Sequence, residues 1–248
     1  MLEVKNLYKN FGTQPVLQGV SLGIAKGESV VIIGRSGGGK SVLLKMLIGL
    51  LAPDSGDVLV DGQNIVGKNE RELLKVRHKF GMLFQGAALF DSMTVAENIA
   101  FPLLRERCWK RDEIRQKVSE ALAMVELRGI EEKKPAALSG GMRKRVGLAR
   151  AIVYQPEILL YDEPTTGLDP VVSDSIDQLI VHVRERLNVT SVAVTHDMRS
   201  ARRIGQRIMM LYEGRIHFTG TPDELFEAAD PVVAQFVKGI SDPKELHL

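Results

Sequence analysis

The chain has little cysteine, few aromatic residues and no long hydrophobic run. It contains one cysteine and one tryptophan among 248 residues, and aromatic residues make up only 5%. Cys108 alone cannot form an internal disulfide, which fits a reducing compartment. The most apolar stretch, residues 42–52, is interrupted by Lys45 and falls well short of the roughly 20 residues that a membrane-spanning helix needs. We therefore expect a soluble protein whose role at any membrane depends on a partner.

A signal-peptide pattern and an excess of charge of one sign are also lacking. The first five residues alternate like a strand, without a basic start followed by an apolar run. The 33 basic residues nearly balance the 31 acidic ones, for a net charge of +2. Nucleic-acid binding needs a clustered basic face, so this balance does not favour it. With 248 residues, the chain suffices for one large α/β domain or two closely packed lobes.

Alternating strand-like and helix-like segments predict an α/β protein with a mixed sheet. Residues 28–33 form a compact Val/Ile strand, which is typical of a sheet covered on both faces. Further strands are predicted over residues 1–7, 16–24, 58–60, 80–84, 158–161, 191–194, 208–212 and 216–218, the last two joined by a hairpin at Glu213-Gly214. Helices are predicted over residues 41–50 and 171–187, and two short tail helices begin at Pro222 and Pro231.

The segment from residue 94 to about residue 153 has helical periodicity and predicts a separate helical lobe. Thr94 and Glu97 have the spacing of a capping box. Apolar residues recur at helical spacing further along, at Ile114, Val118, Leu122 and Val125. We accordingly divide the chain into a core of residues 1–84 and 156–220, a helical lobe of residues 85–155 and a C-terminal helical tail of residues 221–248.

A glycine-rich loop follows the strand over residues 28–33 and precedes a predicted helix. It matches the phosphate loop (Walker A) at every fixed position, with Gly34, Arg35, Ser36, Gly37, Gly38, Gly39, Lys40 and Ser41, followed by Val42. Glycines let the backbone N–H groups surround a triphosphate, and the helix N-terminus favours the same anion. We expect Lys40 to reach the outer phosphates and the Ser41 hydroxyl to bind Mg²⁺. The flanking strand and helix argue against a chance glycine-rich turn.

A second apolar strand, over residues 158–161, ends in two acids (Walker B). Asp162 is placed to hold Mg²⁺, and Glu163 is placed to polarise an attacking water as general base. A solvated acidic turn is the alternative, which the phosphate loop upstream disfavours. These two motifs together occur in many unrelated nucleotide hydrolases, so they do not identify a family.

A further motif narrows the class of hydrolase. The segment Leu138-Ser139-Gly140-Gly141-Met142 resembles the signature of ABC ATPases, and the family's other motifs occur in the expected order. Phe11 resembles the aromatic residue that stacks on adenine, Gln85 the Q-loop glutamine, Asp169 the D-loop aspartate and His196 the switch histidine. The resemblance covers essentially the whole chain.

The resemblance implies a fold, cofactors and residue roles. The fold is a P-loop NTPase cassette with a RecA-like core of mixed sheet, N-terminal antiparallel strands and a helical lobe. ATP and Mg²⁺ are the implied cofactors. The implied catalytic residues are Glu163, His196 and Lys40, and the implied metal ligands are Ser41, Gln85 and Asp162.

The signature would form a second anion site, although the chain has only one phosphate loop. Ser139 is a good N-cap, and Gly140 and Gly141 allow a phosphate to approach the helix N-terminus. The resemblance implies a head-to-tail homodimer in which each signature closes on the ATP held by the other subunit. A simple helix cap is the alternative for this motif taken alone. Met142 replaces the family's usual glutamine, and we expect this to mark a subfamily rather than inactivity.

Phe11 and His196 each have an alternative role. Phe11 could belong to the core, but its position between Asn10 and Gly12 suggests a loop and favours stacking on adenine. His196 could be a capping or core residue, but its position after a predicted strand favours contact with the γ-phosphate.

The tail carries one apolar stripe at helical spacing. Its members are Val232, Val233, Phe236, Val237 and Ile240, and the charged residues from Ser241 to Leu248 follow without further pattern. The stripe packs on the chain's own α/β lobe or on the neighbouring subunit, and the sequence leaves both options open.

A single cassette without a long heptad stretch points to a transporter subunit. Residues 85–95 either form the groove that accepts a permease helix or belong to the core of the helical lobe. The amino-acid sequences of residues 34–42, 86–92 and 138–145 resemble those of the phospholipid-transport branch of the family. This branch comprises the Mla-type systems that work with MCE proteins. The resemblance implies a peripheral ATPase at the cytoplasmic face of the bacterial inner membrane, where it drives a separate integral-membrane permease.

Two other functions stay open at this point. One is an ATPase of amino-acid or metal import, which shares all of these motifs. The other is a nucleotide-sensing regulatory module without turnover, against which the intact Lys40, Asp162, Glu163 and His196 argue.

Overall fold

The computed structural model describes residues 1–106 and 108–240, which form two compact units. The first unit consists of Met1–Lys68 and the chain from Ala193 onward, and the second is Asn69–Val192. The second unit contains the strands near residues 80 and 158 together with the helices over residues 70–77, 95–106, 111–124, 140–152 and 170–187. The division into core, helical lobe and tail therefore stays a prediction, and its segment from Ser241 to Leu248 lies outside the described residues.

The predicted helices and strands occur in the predicted order, and the structure adds three short elements over residues 63–64, 70–77 and 198–204. In chain order the helices and strands are β1 (Leu2–Phe11), β2 (Gln14–Ile24), β3 (Ser29–Ile33), α1 (Lys40–Leu47), β4 (Ser55–Val60), β5 (Gln63–Asn64), α2 (Glu70–Arg77), β6 (Phe80–Leu83), α3 (Val95–Glu106), α4 (Arg111–Met124), α5 (Gly140–Ile152), β7 (Ile158–Asp162), α6 (Pro170–Leu187), β8 (Thr190–Thr195), α7 (Met198–Ile204), β9 (Arg207–Tyr212), β10 (Arg215–Gly220), α8 (Pro222–Phe226) and α9 (Pro231–Lys238).

The first unit contains an antiparallel sheet and a mixed set of strands. The antiparallel sheet has the order β2-β1-β4-β5. Strand β9 pairs parallel with β3 and antiparallel with β10, so the predicted mixed sheet with N-terminal antiparallel strands is confirmed. Every residue of β3 is buried, as its unbroken apolar run predicts. The predicted hairpin turn holds Glu213 and Gly214 at φ 47° and 73°, as a two-residue primed turn requires.

The second unit contains parallel strands and the longest helices. Strands β6 and β7 pair in parallel, with Phe80 opposite Ile158. Gly81 lies so close to α5 that an added Cβ would overlap the carbonyl oxygen of Ala151. The predicted capping box of α3 is confirmed, since Thr94 N–H donates to the Glu97 carboxylate at 2.7 Å and Glu97 N–H donates to Thr94 Oγ1 at 3.2 Å. No helix within residues 1–106 or 108–240 is long and apolar enough to cross a membrane.

Helix α9 carries the apolar stripe of the tail and packs within the first unit. Val233 is only 1% exposed, whereas Ile240 is 59% exposed. The Asp230 carboxylate caps the helix through Val232 N–H and Val233 N–H at 2.9 and 3.0 Å. These backbone bonds, together with the hydrogen bond from His217, lower the pKa of Asp230. A single chain therefore buries part of the stripe on its own lobe.

Truncation after Asp230 is expected to lower the melting temperature of the isolated monomer. Burying a side chain such as Val233 stabilises a fold by about 1.5–3 kcal/mol, which corresponds to a fall of roughly 3–10 °C for a chain of this size. Calorimetry on the truncated chain measures this, with truncation after Ile240 as the control that keeps α9. An unchanged melting temperature of the monomer, together with a weakened nucleotide-free dimer, would instead favour packing on the neighbouring subunit. No change in either measurement would exclude both options.

Candidate nucleotide site

The phosphate loop joins β3 to α1 in the first unit. Helix α1 begins after Gly39, which has a φ of 92° and no side chain that could cap the helix. A Cβ on Gly39 would lie 2.9 Å from Val16 Cγ1 and 3.1 Å from Val16 O, so the loop packs against β2 only with glycine there. The first N–H groups of a helix have no partner within the helix. The start of α1 is therefore built to receive an anion, as the sequence predicts.

Lys40 is 5% exposed, and its ammonium lies against the backbone of the loop. The Nζ atom donates to Gly34 O at 2.8 Å and to Arg35 O at 3.0 Å. A buried ammonium is costly unless it is hydrogen-bonded, and here the loop carbonyls supply acceptors. This geometry holds a positive charge at the N-terminus of α1, where the outer phosphates of a nucleotide are expected.

Lys40→Ala is expected to weaken ATP binding by roughly 10- to 100-fold. The estimate follows from the 1.5–3 kcal/mol typical of hydrogen bonds to charged groups. Titration of a fluorescent ATP analogue measures the dissociation constant directly. Lys45→Ala is the matched control, because Lys45 lies on the same helix but is exposed. Equal affinity of the two variants would exclude Lys40 from phosphate binding.

Phe11 is an exposed residue at the end of β1. It was expected in a loop, but it is the last residue of the strand and pairs with Gln14. The residue is 50% exposed, so the alternative of a core residue is wrong. Lys9 Nζ lies 5.6 Å from the ring centre. The exposed ring is available for stacking on a planar ligand, and its role in binding adenine stays a prediction.

His196 directly follows β8 and is exposed, so it is not a core histidine. The N-cap of α7 is Asp197, whose carboxylate accepts from Arg199 N–H at 2.8 Å, so His196 is not the capping residue either. His196 lines a cavity of about 390 Å³ together with Arg35 and Ser36 of the phosphate loop. The structure thus brings the predicted switch histidine and the predicted phosphate loop together within the first unit.

Two acidic residues of the second unit stand at the end of the buried strand β7. Asp162 is 5% exposed and Glu163 is 8% exposed. Glu163 has a φ of 47°, a conformation that non-glycine residues rarely adopt and that recurs at functional sites. Thr166 Oγ1 donates to Glu163 Oε2 at 3.0 Å, which orients the carboxylate. The arrangement suits a general base held in a fixed direction.

Lys144, which the sequence analysis missed, binds the backbone beside two of the predicted site residues. Its Nζ donates to Glu163 O at 3.0 Å and also to Gln85 O. Burial lowers the pKa of Lys144 to about 8, while the carboxylates of Asp162 and Glu163 oppose that shift. A signal was present in the sequence: Lys144 falls at helical spacing with the apolar residues Gly147, Leu148 and Ala151.

The signature motif starts helix α5, and Ser139 is its N-cap as predicted. Ser139 Oγ accepts from Met142 N–H at 3.3 Å. A Cβ on Gly141 would lie 2.7 Å from Val172 Cγ1, so this glycine is required by packing against α6 as well as by any approaching phosphate. Asp169 caps α6, accepting from Val171 N–H and Val172 N–H at 3.0 Å. The Asp169 carboxylate therefore stabilises the start of α6. Its contact with nucleotide stays a prediction.

The predicted Mg²⁺ ligands include a single carboxylate, that of Asp162. No group of three or more histidine, cysteine, aspartate or glutamate side chains in the part of the chain that the structure describes could hold a metal ion. Mg²⁺ usually takes one or two carboxylates and completes its shell with phosphate oxygens and water. The roles of Ser41, Gln85 and Asp162 as metal ligands stay predictions.

Comparisons with known proteins agree with these motifs. The ABC transporter family matches residues 17–166. The chain is 45% identical to the probable ribonucleotide transport ATP-binding protein mkl of Mycobacterium leprae, over 96% of this chain and 69% of that protein. It is 40% identical to the intermembrane phospholipid transport system ATP-binding protein MlaF of Haemophilus influenzae, over 98% of this chain and 92% of that protein. It is 43% identical to the methionine import ATP-binding protein MetN of Latilactobacillus sakei, over 95% of this chain and 69% of that protein.

Solved structures show the same fold. A dimeric structure of the ATP-binding cassette MJ0796, in a post-hydrolysis state with ADP and Pi, superposes with a TM-score of 0.82 at 36% identity. The match covers 90% of this chain and 99% of that cassette. The phosphate loop, the acidic end of β7 and the capped signature helix all lie within residues 17–166, which the family matches. The chain therefore belongs to the ABC transporter family and is an ATP-hydrolysing cassette of that family.

Proposed function

We propose that the chain is the ATPase subunit that powers phospholipid transport between bacterial envelope membranes. It works as a homodimer at the cytoplasmic face of the inner membrane, bound to a separate permease that cooperates with an MCE-type lipid-binding protein. The intact hydrolytic set carries the ATPase part of this proposal, above all the buried Lys40 ammonium on the phosphate loop and the oriented Glu163 carboxylate. The similarity to a phospholipid-transport ATPase, over 98% of this chain, supports the cargo.

The nucleotide is bound through its phosphates and its base. The N–H groups of the phosphate loop and the start of α1 receive the triphosphate, and Lys40 neutralises its outer charge. The exposed Phe11 ring stacks on adenine, a contact worth roughly 1–3 kcal/mol by analogy with base–aromatic stacking. Mg²⁺, when bound, screens the charge of the phosphates, and Ser41, Asp162 and Gln85 are the residues that would hold it.

Hydrolysis requires an activated water and a stabilised γ-phosphate. The Glu163 carboxylate, oriented by Thr166, takes the proton of the attacking water, and His196 contacts the γ-phosphate. The Ser139 helix N-terminus of the neighbouring subunit completes each site, so that two ATP molecules hold the dimer closed. Hydrolysis removes that contact, and the reopening dimer drives the permease.

The permease docks on the segment that follows Gln85. Phe90 in this segment is 42% exposed, and its ring centre lies 4.8 Å from that of Phe101 on α3. Ala87, in contrast, is only 1% exposed. The segment thus anchors one residue in the second unit and presents an aromatic side chain to solvent, which supports the permease groove over the alternative of core alone.

Deletion of the encoding gene is expected to disturb the phospholipid distribution of the envelope, because the permease loses its energy source. Lipid analysis of separated membranes measures this, and a Lys40→Ala copy should fail to restore it where a Lys45→Ala copy succeeds. Purification of the chain with its native membrane partners should recover bound phospholipid and an MCE-type protein. Recovery of an amino-acid-binding protein without a lipid defect would instead support the import alternative, for which the methionine-import relative speaks.

A further inference from the structure

The loop between β6 and α3 has an unusual backbone. Ala87 and Ala88 are consecutive non-glycine residues at φ 61° and 48°, in the left-handed region. A Cβ makes this region unfavourable for single residues, and such conformations persist only where the surroundings impose them. The loop is therefore held in place by contacts from outside it.

Arg150 on helix α5 supplies the first of these contacts. Its two terminal nitrogens donate to Ala88 O at 2.7 Å and to Ala87 O at 2.7 Å. A planar guanidinium that binds two successive carbonyls fixes their relative direction, which a single donor cannot do. Arg150 thus holds the two strained alanines by their own carbonyl oxygens.

Two further residues of α5 face the same loop, at intervals of three. Lys144 donates to Gln85 O at the start of the loop and, at 3.0 Å, to the carbonyl of Glu163. Gly147, midway between Lys144 and Arg150, allows close packing, since a Cβ there would lie 3.1 Å from Ala87 Cβ. Residues three apart are neighbours on a helix surface, so Lys144, Gly147 and Arg150 together face this loop.

The far end of the loop is held by helix α3. The Asn98 side chain is fully buried, accepts from Phe90 N–H at 2.8 Å and donates to Phe90 O at 3.1 Å. It also donates to the carbonyls of Met93 and Thr94, at 3.3 and 3.0 Å. Asn98 therefore holds the backbone at Phe90 through both its N–H and its carbonyl.

We propose that Lys144 and Arg150 are positioning residues that lock the loop after Gln85 onto the signature helix, so that loop and helix move as one body. The proposal rests on the proposed function, in which Ser139 at the start of α5 meets nucleotide and Phe90 meets the permease. When the start of α5 is displaced, the loop after Gln85, on which the permease docks, is displaced with it. Through its bond to the Glu163 carbonyl, Lys144 also ties this body to the proposed general base.

Hydrogen exchange of the full-length chain tests the lock without any permease. The amides of Ala87 and Met93, which donate within the loop to Phe84 O and Phe90 O, report its opening. Arg150→Met is expected to speed exchange at Ala87 by at least about tenfold, and Arg150→Lys, which keeps one donor nitrogen, by less. If exchange at Ala87 stays within about twofold of the wild type in folded Arg150→Met, the lock does not exist.

Arg145→Met is the matched control, because Arg145 lies on the same helix and also donates hydrogen bonds to residues outside that helix. Its guanidinium donates to Val125 O at 2.8 Å and to Ser175 Oγ at 2.7 Å, with no bond to the loop. Arg145→Met is expected to lower the melting temperature while leaving exchange at Ala87 unchanged. Equal acceleration by Arg145→Met and Arg150→Met would show a general loss of stability and overturn the proposal. If Arg150→Met does not fold, Arg150→Lys and Arg145→Lys are compared by the same criterion.

Steady-state hydrolysis of Mg-ATP separates positioning from nucleotide binding. For Arg150→Lys, kcat is expected to fall by roughly tenfold, because displaced catalytic groups lose rate without losing substrate affinity, whereas KM should change less than about twofold. An unchanged kcat, or a KM that rises as kcat falls, contradicts the positioning role. A wild-type chain that binds no ATP would instead contradict the proposed function, and it would leave the exchange result to decide the lock by itself.

Discussion

Glu163→Gln is expected to bind ATP normally but to lose at least the 10²–10⁴-fold that general acid–base assistance typically contributes. The amide has the shape of the carboxylate and can keep the hydrogen bond from Thr166, so binding should persist. It cannot accept the proton of an attacking water at neutral pH. The variant should therefore accumulate as an ATP-bound dimer, which size-exclusion chromatography with Mg-ATP detects, while single-turnover kinetics measure the loss in rate.

Glu157→Gln is the matched control for this substitution. Glu157 stands just before β7, and its side chain is 47% exposed, with Lys79 as an ion-pair partner at 3.9 Å. Exposed ion pairs contribute little to stability, so the control should hydrolyse ATP at the wild-type rate. Near-normal turnover in Glu163→Gln would remove Glu163 from the role of general base. It would also favour the alternative that β7 ends in an acidic turn without a catalytic role.

Ser139→Arg is expected to abolish hydrolysis by a chain that keeps its own phosphate loop and its own Glu163. A large cation at the N-terminus of α5 blocks the approach of a phosphate and opposes the helix dipole. By analogy with the removal of one donor to a transition state, we expect a loss of at least about 10²-fold. ATP binding by the isolated chain should persist, because Lys40 is untouched.

Mixing the two variants tests whether the sites are shared between chains. In a heterodimer of Ser139→Arg with Glu163→Gln, one site carries both changes and the other carries neither. Activity should therefore reappear on mixing and rise with the fraction of heterodimer. Hydrolysis by monomers at full rate under high dilution, or a normal rate in Ser139→Arg alone, would contradict the composite site.

The strands and long helices were predictable because the spacing of apolar residues along the sequence follows the buried faces of these elements. Strand β3 is buried throughout and its sequence is unbroken Val and Ile after Ser29. Helix α2 was missed, because among its eight residues only Leu73 is buried and the rest are polar, exposed or half-buried. Its capping box, Asn69 with Glu72, was the available signal. Short exposed helices leave little periodicity, so capping residues are their main mark.

The sequence by itself determined the chemistry of this protein: a phosphate loop, an acidic strand end and a signature in a fixed order are local patterns. The positive φ of Gly39 belongs to this local pattern, whereas its close approach to Val16 of β2 comes from the tertiary structure. Only the tertiary structure decided which side chains hold these motifs in place. Lys144 and Arg150 bind carbonyl oxygens about 60 positions away along the chain, at Gln85 and Ala88. A backbone carbonyl has no residue identity, so no sequence pattern marks it as an acceptor, and folding alone selects the partner.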